Sequence, residues 1–132
     1  MGVSAYWLDD NLKDIVQYDF EGPWTWEDLY PVLDKALEME KEQPHRVDVI
    51  LNFTNSNVIP SNALVHVKNI IDKQPDNIGL SIFVTSNRFF MVMYNMATKI
   101  HPKFQQYFII VNSFEAAHDL IKTDRETSKK IG

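Results

Sequence analysis

"VDVILNFTNSNVIPSNALVHVKNI", residues 47–70, reads as one strand followed by one helix. Val49, Leu51 and Phe53 alternate with Asp48, Ile50 and Asn52, which is the two-residue period of a pleated strand with one face turned inward. A short polar stretch follows, and Pro60 with Ser61-Asn62 then opens a helix over "NALVHVKNIIDKQ". Its apolar side is Leu64, Val67, Ile70 and Ile71, at helical spacing. A strand that hands over to a helix within about a dozen residues is the building block of a parallel α/β sheet.

The same alternation extends in both directions. Upstream, Ser4 to Leu8 reads as a first strand, "DDNLKD" as a turn, and "DIVQYDFEG" as a second strand. Val16, Tyr18 and Phe20 take one face of that strand, Gln17 and Asp19 the other. Gly22-Pro23 ends it. "TWEDLYPVLDKALEMEKEQ" is a helix with Thr25 as N-cap and Asp28 completing a capping-box pattern. Trp26, Leu29, Leu33, Ala36 and Leu37 recur along it, while Pro31 implies either a later start or a bend. Downstream come a strand at "GLSIFVT", a helix from Ser86 to Ile100 capped by Ser86, a strand at "YFIIVN", and a helix "FEAAHDLI" capped by Ser113. The expected architecture is α/β: a mixed sheet of about five strands, mostly parallel with an N-terminal antiparallel hairpin, and about four helices. Residues 1–122 form one domain, and 123–132 read as a polar tail.

Composition narrows the function classes. The 132 residues contain no cysteine, which removes thiol catalysis, thiolate metal sites and disulfides and fits a reducing, cytoplasmic setting. The net charge of −5 and the scattered Lys and Arg lack the basic face of a nucleic-acid binder. The N-terminus has no basic segment leading into an apolar core, so no secretory signal is expected. No apolar run reaches the ~18 residues of a membrane span, so stable membrane insertion is not expected.

The 47–70 stretch also carries a resemblance. A strand, a short polar stretch, two apolar residues and a Ser at the start of a helix resemble the central motif of STAS domains, the group that includes bacterial anti-sigma-factor antagonists. "GPWTWEDLYPVLDKAL" is similar to that family's first strand-to-helix step, and "FIIVNSFEAAHDLI" to its closing strand and helix. The likeness covers residues 4 to 122 and lies closest to STAS-like bacterial proteins grouped with the CRAL-TRIO lipid-transfer fold. It implies a STAS-like sandwich with helices mostly on one sheet face, leaving the other face, with Gln17, Asp19, Asp48 and Asn52 around Ile50, partly open. The antagonists' phosphoacceptor is the second Ser of an Asp-Ser-Ser-Gly-like element. Here the matching run is Pro60-Ser61-Asn62-Ala63, so Asn62 stands at the acceptor position and Ser61 on the first Ser. Phosphorylation at Ser61 is therefore not expected.

Local signatures of chemistry are absent. His45, His66, His101 and His118 include no pair on one helix face at three- or four-residue spacing, so no local zinc site is expected. His66 falls on the polar side of its helix, a solvated position. The four glycines, at 2, 22, 79 and 132, form no phosphate-cradling loop. Asp9, Asp10 and Asp14 lack the spacing of a calcium loop and read as a solvated turn. No Gly-x-Ser-x-Gly element is present. No metal or cofactor is expected.

One cluster remains. In parallel α/β sheets ligands gather beyond the carboxyl ends of the strands. That edge should carry Trp24 and Trp26, Asn55, Ser56 and Asn57, Ser61 and Asn62, and Ser86, Asn87 and Arg88. Helix starts and Arg88 could hold an anion and the tryptophans a ring. The plainer account makes the Ser and Asn residues caps and turn formers and the tryptophans core.

The helix at 86–100 raises a separate question. Phe89, Phe90, Met91, Val92, Met93, Tyr94 and Met96 make it apolar nearly all round, where a surface helix should be apolar on one side. Burial on both sides within the domain is the first account. A partner surface, in a homodimer or with another protein, is the second, with Phe90, Met93, Tyr94 and Met96 as interface candidates, since Met and aromatic residues suit interface cores. An apolar small molecule or lipid is the third, implied by the CRAL-TRIO likeness. Only Arg88 and Lys99 are nearby cations, too few for a membrane-surface helix. Together these readings predict a non-enzymatic module acting by association. An apolar-ligand protein is the first rival, and a small hydrolase or transferase at the Ser61 and Arg88 edge the second.

Overall fold

A computed structural model describes residues 2–102 and 104–131. Strand β1 (Val3–Trp7) pairs antiparallel with β2 (Ile15–Glu21), Ala5 opposite Tyr18. The turn between them is tied by Asp9, whose Oδ1 accepts from the backbone nitrogens of Asn11 and Leu12. Strands β3 (Val47–Asn55), β4 (Ile78–Val84) and β5 (Phe108–Val111) then add in parallel, giving the order β1-β2-β3-β4-β5. This is the mixed five-stranded α/β sheet that the alternation predicts.

Each parallel crossover steps in the same direction, so right-handed connections place their helices on one face. Helix α1 (Trp26–Lys41) begins where the cap predicts. Thr25 Oγ1 accepts from the Asp28 nitrogen at 3.1 Å, and Asp28 Oδ2 accepts from the Thr25 nitrogen at 2.9 Å. Pro31 does not delay the helix. It is exposed, as is Glu27 four residues earlier, so the carbonyl that loses its partner faces water. Helix α2 (Ala63–Asp72) starts after Asn62, which adopts a left-handed conformation (φ 66°) and makes no side-chain cap. Helix α3 (Arg88–Ile100) is capped by Asn87, whose Oδ1 accepts from the Phe89 nitrogen at 2.8 Å, and not by Ser86. A short α4 (Phe104–Tyr107) brings the helices among the described residues to five.

Helix α5 (Phe114–Ile131) departs from the sequence reading in two further ways. It runs on through residues read as a tail. It also lies on the opposite sheet face, where Ala117 and Ile121 pack on Ile50, Ile82 and Val84. That face is therefore covered over β3 to β5. Its β1–β2 half carries a polar network instead. Asp19 accepts from the Tyr6 hydroxyl (2.6 Å), Gln17 Nε2 (2.9 Å) and Asn52 Nδ2 (2.9 Å). Burial alone would raise the Asp19 carboxyl, but these hydrogen bonds outweigh it and hold it below its ordinary value. The Tyr6 hydroxyl is pushed up to about 12, by burial first and then by Asp19.

Candidate functional site

The helix-covered face contains a cavity of about 120 Å³. Its floor is the inward side of the sheet: Tyr18, Phe20, Val49, Leu51, Phe53 and Phe83. Tyr18, Phe20, Val49, Leu51 and Phe53 are positions that strand alternation assigns to one face. Leu29 and Leu33 of α1, Leu64, Val67 and Ile70 of α2, and Phe90, Met93 and Tyr94 of α3 form the walls. The rings lock one another. Phe20 and Phe53 stack with centroids 4.1 Å apart, and Phe53 meets Phe90 at 4.8 Å. Aromatic pairs of this geometry stabilise beyond their buried area.

One end of the cavity is closed by the tryptophans. Trp24 is buried and donates from Nε1 to the Val58 carbonyl at 2.8 Å, and Trp26 donates to the Ser61 carbonyl at 2.7 Å. Together they fasten the β3–α2 loop over the start of α1. Trp26 also stacks on His66 with centroids 4.4 Å apart, and the Tyr30 hydroxyl lies 2.6 Å from His66 Nδ1. His66 is therefore half-buried and engaged, not solvated.

The remaining strand-end candidates do not line the cavity. Ser56 is buried, with Oγ donating to the Gly22 carbonyl at 2.8 Å. Asn87 Nδ2 donates to Asn57 Oδ1 at 3.0 Å, tying the start of α3 to the β3–α2 loop. Asn55 contributes its carbonyl to the Gly22 nitrogen at 3.0 Å. Ser61, Asn62, Ser86 and Arg88 are exposed. The edge thus divides in two. Trp24 and Trp26 are cavity wall, while Ser56, Asn57 and Asn87 act as loop ties and a cap.

The opposite end holds polar groups that the sequence reading did not select. Glu40, in the last turn of α1, is 1 % exposed, and among the described residues neither of its carboxyl oxygens has a hydrogen-bond partner. Gln74, just beyond α2, has an unpartnered buried Oε1. Ser81 of β4 joins them in the cavity wall. Asn77 draws these elements together, because its Nδ2 donates to the carbonyls of Glu40 (2.8 Å) and His45 (3.1 Å). Burial without a partner pushes the Glu40 carboxyl up to about 8, so the acid is mostly neutral at pH 7. Tyr18 is raised above its ordinary value, by burial first and then by the charges of Glu40 and Asp34. The sequence held one signal. Glu40 continues the spacing of Leu29, Leu33 and Ala36, a carboxyl set on an apolar stripe.

The α3 interface candidates also separate. Phe90 is buried, and Met93 and Tyr94 line the cavity, with the Tyr94 hydroxyl donating to the Phe108 carbonyl at 2.8 Å. Only Met96 of the four is exposed. The outward apolar stripe runs through Phe89, Val92 and Met96, which are 51, 55 and 51 % exposed.

Among the described residues no cluster of His, Asp or Glu could hold a metal ion, and no helix is long and apolar enough to cross a membrane. No protein-family model, curated protein or solved structure matches the chain.

Proposed function

We propose that this chain is a non-enzymatic binding module whose ligand is an apolar small molecule held between the sheet and helices α1 to α3. The observation that carries this reading is the cavity. A cavity of about 120 Å³ with almost wholly apolar walls offers an apolar occupant on the order of 3 kcal/mol of contact, at ~24 cal/mol per Å³ filled. That is a large fraction of a domain's net stability, commonly ~5–15 kcal/mol. An apolar occupant would recover contacts that the walls lack, and cavities of ~150 Å³ lined by Leu, Ile and Phe do take up molecules such as benzene. Support for a non-enzymatic role comes from the strand-end edge. Trp26 engages Ser61 through the serine's carbonyl, and the His45 ring is occupied elsewhere, Nε2 lying 2.9 Å from the Lys13 carbonyl.

The test is thermal unfolding with toluene and with medium-chain alcohols over a range of concentrations. Ligands that bind only the folded state raise Tm by mass action, and Trp24 and Trp26 in the wall provide a fluorescence readout. No shift in Tm and no fluorescence change with any of these probes would sink the reading.

A second reading, association with another protein or a second copy through α3, is favoured by the outward stripe of Phe89, Val92 and Met96. Apolar patches of a few hundred Å² on small domains are often functional. Light scattering at increasing protein concentration tests self-association. Under either reading the STAS likeness, with Asn62 at the acceptor position, supports a module that works without phosphorylation.

A further inference from the structure

We infer that the cavity takes an elongated apolar molecule ending in a hydroxyl group, with the hydroxyl bound between Glu40 and Gln74 and the chain running toward Trp24 and Trp26. This rests on the apolar-ligand reading and adds the chemistry of the ligand's head.

The argument starts from what the two ends of the cavity lack. At the tryptophan end the polar atoms in the wall are satisfied, since both indole nitrogens donate to backbone carbonyls. At the other end they are not: both oxygens of Glu40 and Oε1 of Gln74 are buried and unpartnered among the described residues. A buried polar group without a partner costs about 1–3 kcal/mol, and three such atoms at one end of one cavity are concentrated where a ligand head would sit. Asn77 fixes the arrangement by clamping the last turn of α1, which carries Glu40, to the segment after α2, which carries Gln74.

The donor and acceptor inventory selects the head group. A protonated carboxyl offers one donor and one good acceptor, and the Gln74 oxygen offers only acceptance. A hydroxyl matches both: it accepts from the Glu40 carboxyl and donates to Gln74 Oε1. A carboxylate head would bring a charge into an apolar wall, and it has no proton to donate to Gln74 Oε1. An ammonium head would require an ion pair inside an apolar wall, where desolvation of both charges commonly cancels their attraction. A head without hydrogen-bonding groups would leave all three atoms bare. Ser81 is a further hydroxyl in the cavity wall.

The experiment uses the full chain and three probes with the same chain length: 1-hexanol, 1-chlorohexane and hexylamine. Affinities come from calorimetry and tryptophan fluorescence on the wild type and on the variants Glu40→Leu, Glu40→Gln and Gln74→Leu. The expected result is that hexanol binds the wild type about tenfold tighter than chlorohexane, and that Glu40→Leu erases this preference by weakening hexanol alone. Glu40→Gln, which restores a donor and an acceptor, should keep most of the preference. Gln74→Leu gives a second, independent loss. If chlorohexane binds as well as hexanol, and Glu40→Leu leaves the ratio unchanged, the head-group inference is overturned while the apolar-ligand reading survives, water then satisfying the polar end. If hexylamine binds tighter than hexanol, the head is an ammonium and the inference is again overturned. Binding of none of the three removes the apolar-ligand reading itself.

Discussion

Arg125 donates from Nε to Oδ2 of Asp48 at 2.8 Å, joining the last helix to the middle strand across 77 residues of sequence. Asp48 is fully buried, and its other oxygen accepts from Arg46 Nε (3.0 Å) and the Leu80 nitrogen (2.7 Å). Arg125 also reaches Asp14 with Nη1 at 2.7 Å, so one guanidinium links α5 to β3 and to the residue before β2. This replaces the apolar contacts that the polar end of α5 cannot make.

Asp48→Ala should therefore take the shared buried carboxylate from two guanidinium groups, leaving Arg46 with Asp124 and Arg125 with Asp14. Breaking a buried pair from one side costs roughly 3–5 kcal/mol. The lower end is expected here, since both arginines keep about a quarter of their side chains in water (28 % and 27 %). Urea denaturation checks the loss. Arg125→Ala should act more locally, with faster amide exchange over residues 122–131 and little change in α1. Uniform exchange behaviour across both helices would contradict the tie.

Gly79 is placed by the same cluster. A methyl group on its Cα would collide with Arg46 Nε and Asp48 Oδ1. Its backbone is not in the left-handed region, so the demand is for space. Gly79→Ala should cost about 1–3 kcal/mol, the usual range for overpacking. Adding Arg46→Ala should recover part of that loss if the collision is the cause, which a double-mutant cycle measures.

Legibility differed from element to element for physical reasons. The sheet was readable because Val16-Tyr18-Phe20 and Val49-Leu51-Phe53 keep a strict two-residue period. The start of α1 was readable because a capping box is a local signature. The length of α5 was not, because "KTDRETSKKI" has no apolar stripe and is held by Asp124 and Arg125 reaching non-local partners. The rotation of α3 was also hidden. A helix apolar nearly all round gives periodicity no phase, so Phe90 turned out to be core and Phe89 the exposed neighbour. Of the cavity, the tryptophan end was visible as an aromatic cluster after β2. The Glu40 and Gln74 end was not, because it depends on how the helices meet the sheet.

Glu40 predicts a pH dependence of unusual sign. Burial raises its carboxyl from 4.5 to about 8, so the folded state binds the proton more tightly than the unfolded state. Stability from this group is complete below about pH 4.5 and is lost as pH rises toward 8, by up to ~1.4 kcal/mol per pH unit. Other carboxylates, such as Asp19, act in the opposite direction and dominate in acid. The clean comparison is therefore wild type against Glu40→Gln at pH 5, 6, 7 and 8. The stability gap between them should move steadily in favour of Glu40→Gln as pH increases. A gap that does not change with pH would mean that Glu40 finds a partner in solution.

Substitutions on α3 should fall into two classes according to which side of the helix they touch. Met93 lines the cavity, and Tyr94 both lines it and donates to the Phe108 carbonyl. Placing Glu at both positions puts two carboxylates against an apolar wall and leaves that carbonyl unpaired, so loss of cooperative folding is expected. Phe89 and Met96 are half exposed, and Glu at both should change stability by no more than about ±0.5 kcal/mol each, as for ordinary surface sites. Circular dichroism melts separate the two classes. Light scattering on the Phe89→Glu/Met96→Glu variant then addresses the outward stripe. If the wild type self-associates through it, the variant should be monomeric at concentrations where the wild type is not. A wild type that stays monomeric at high concentration argues against a homodimer on this face. An unfolded Phe89→Glu/Met96→Glu variant would show that the stripe packs within the domain, contrary to its exposure.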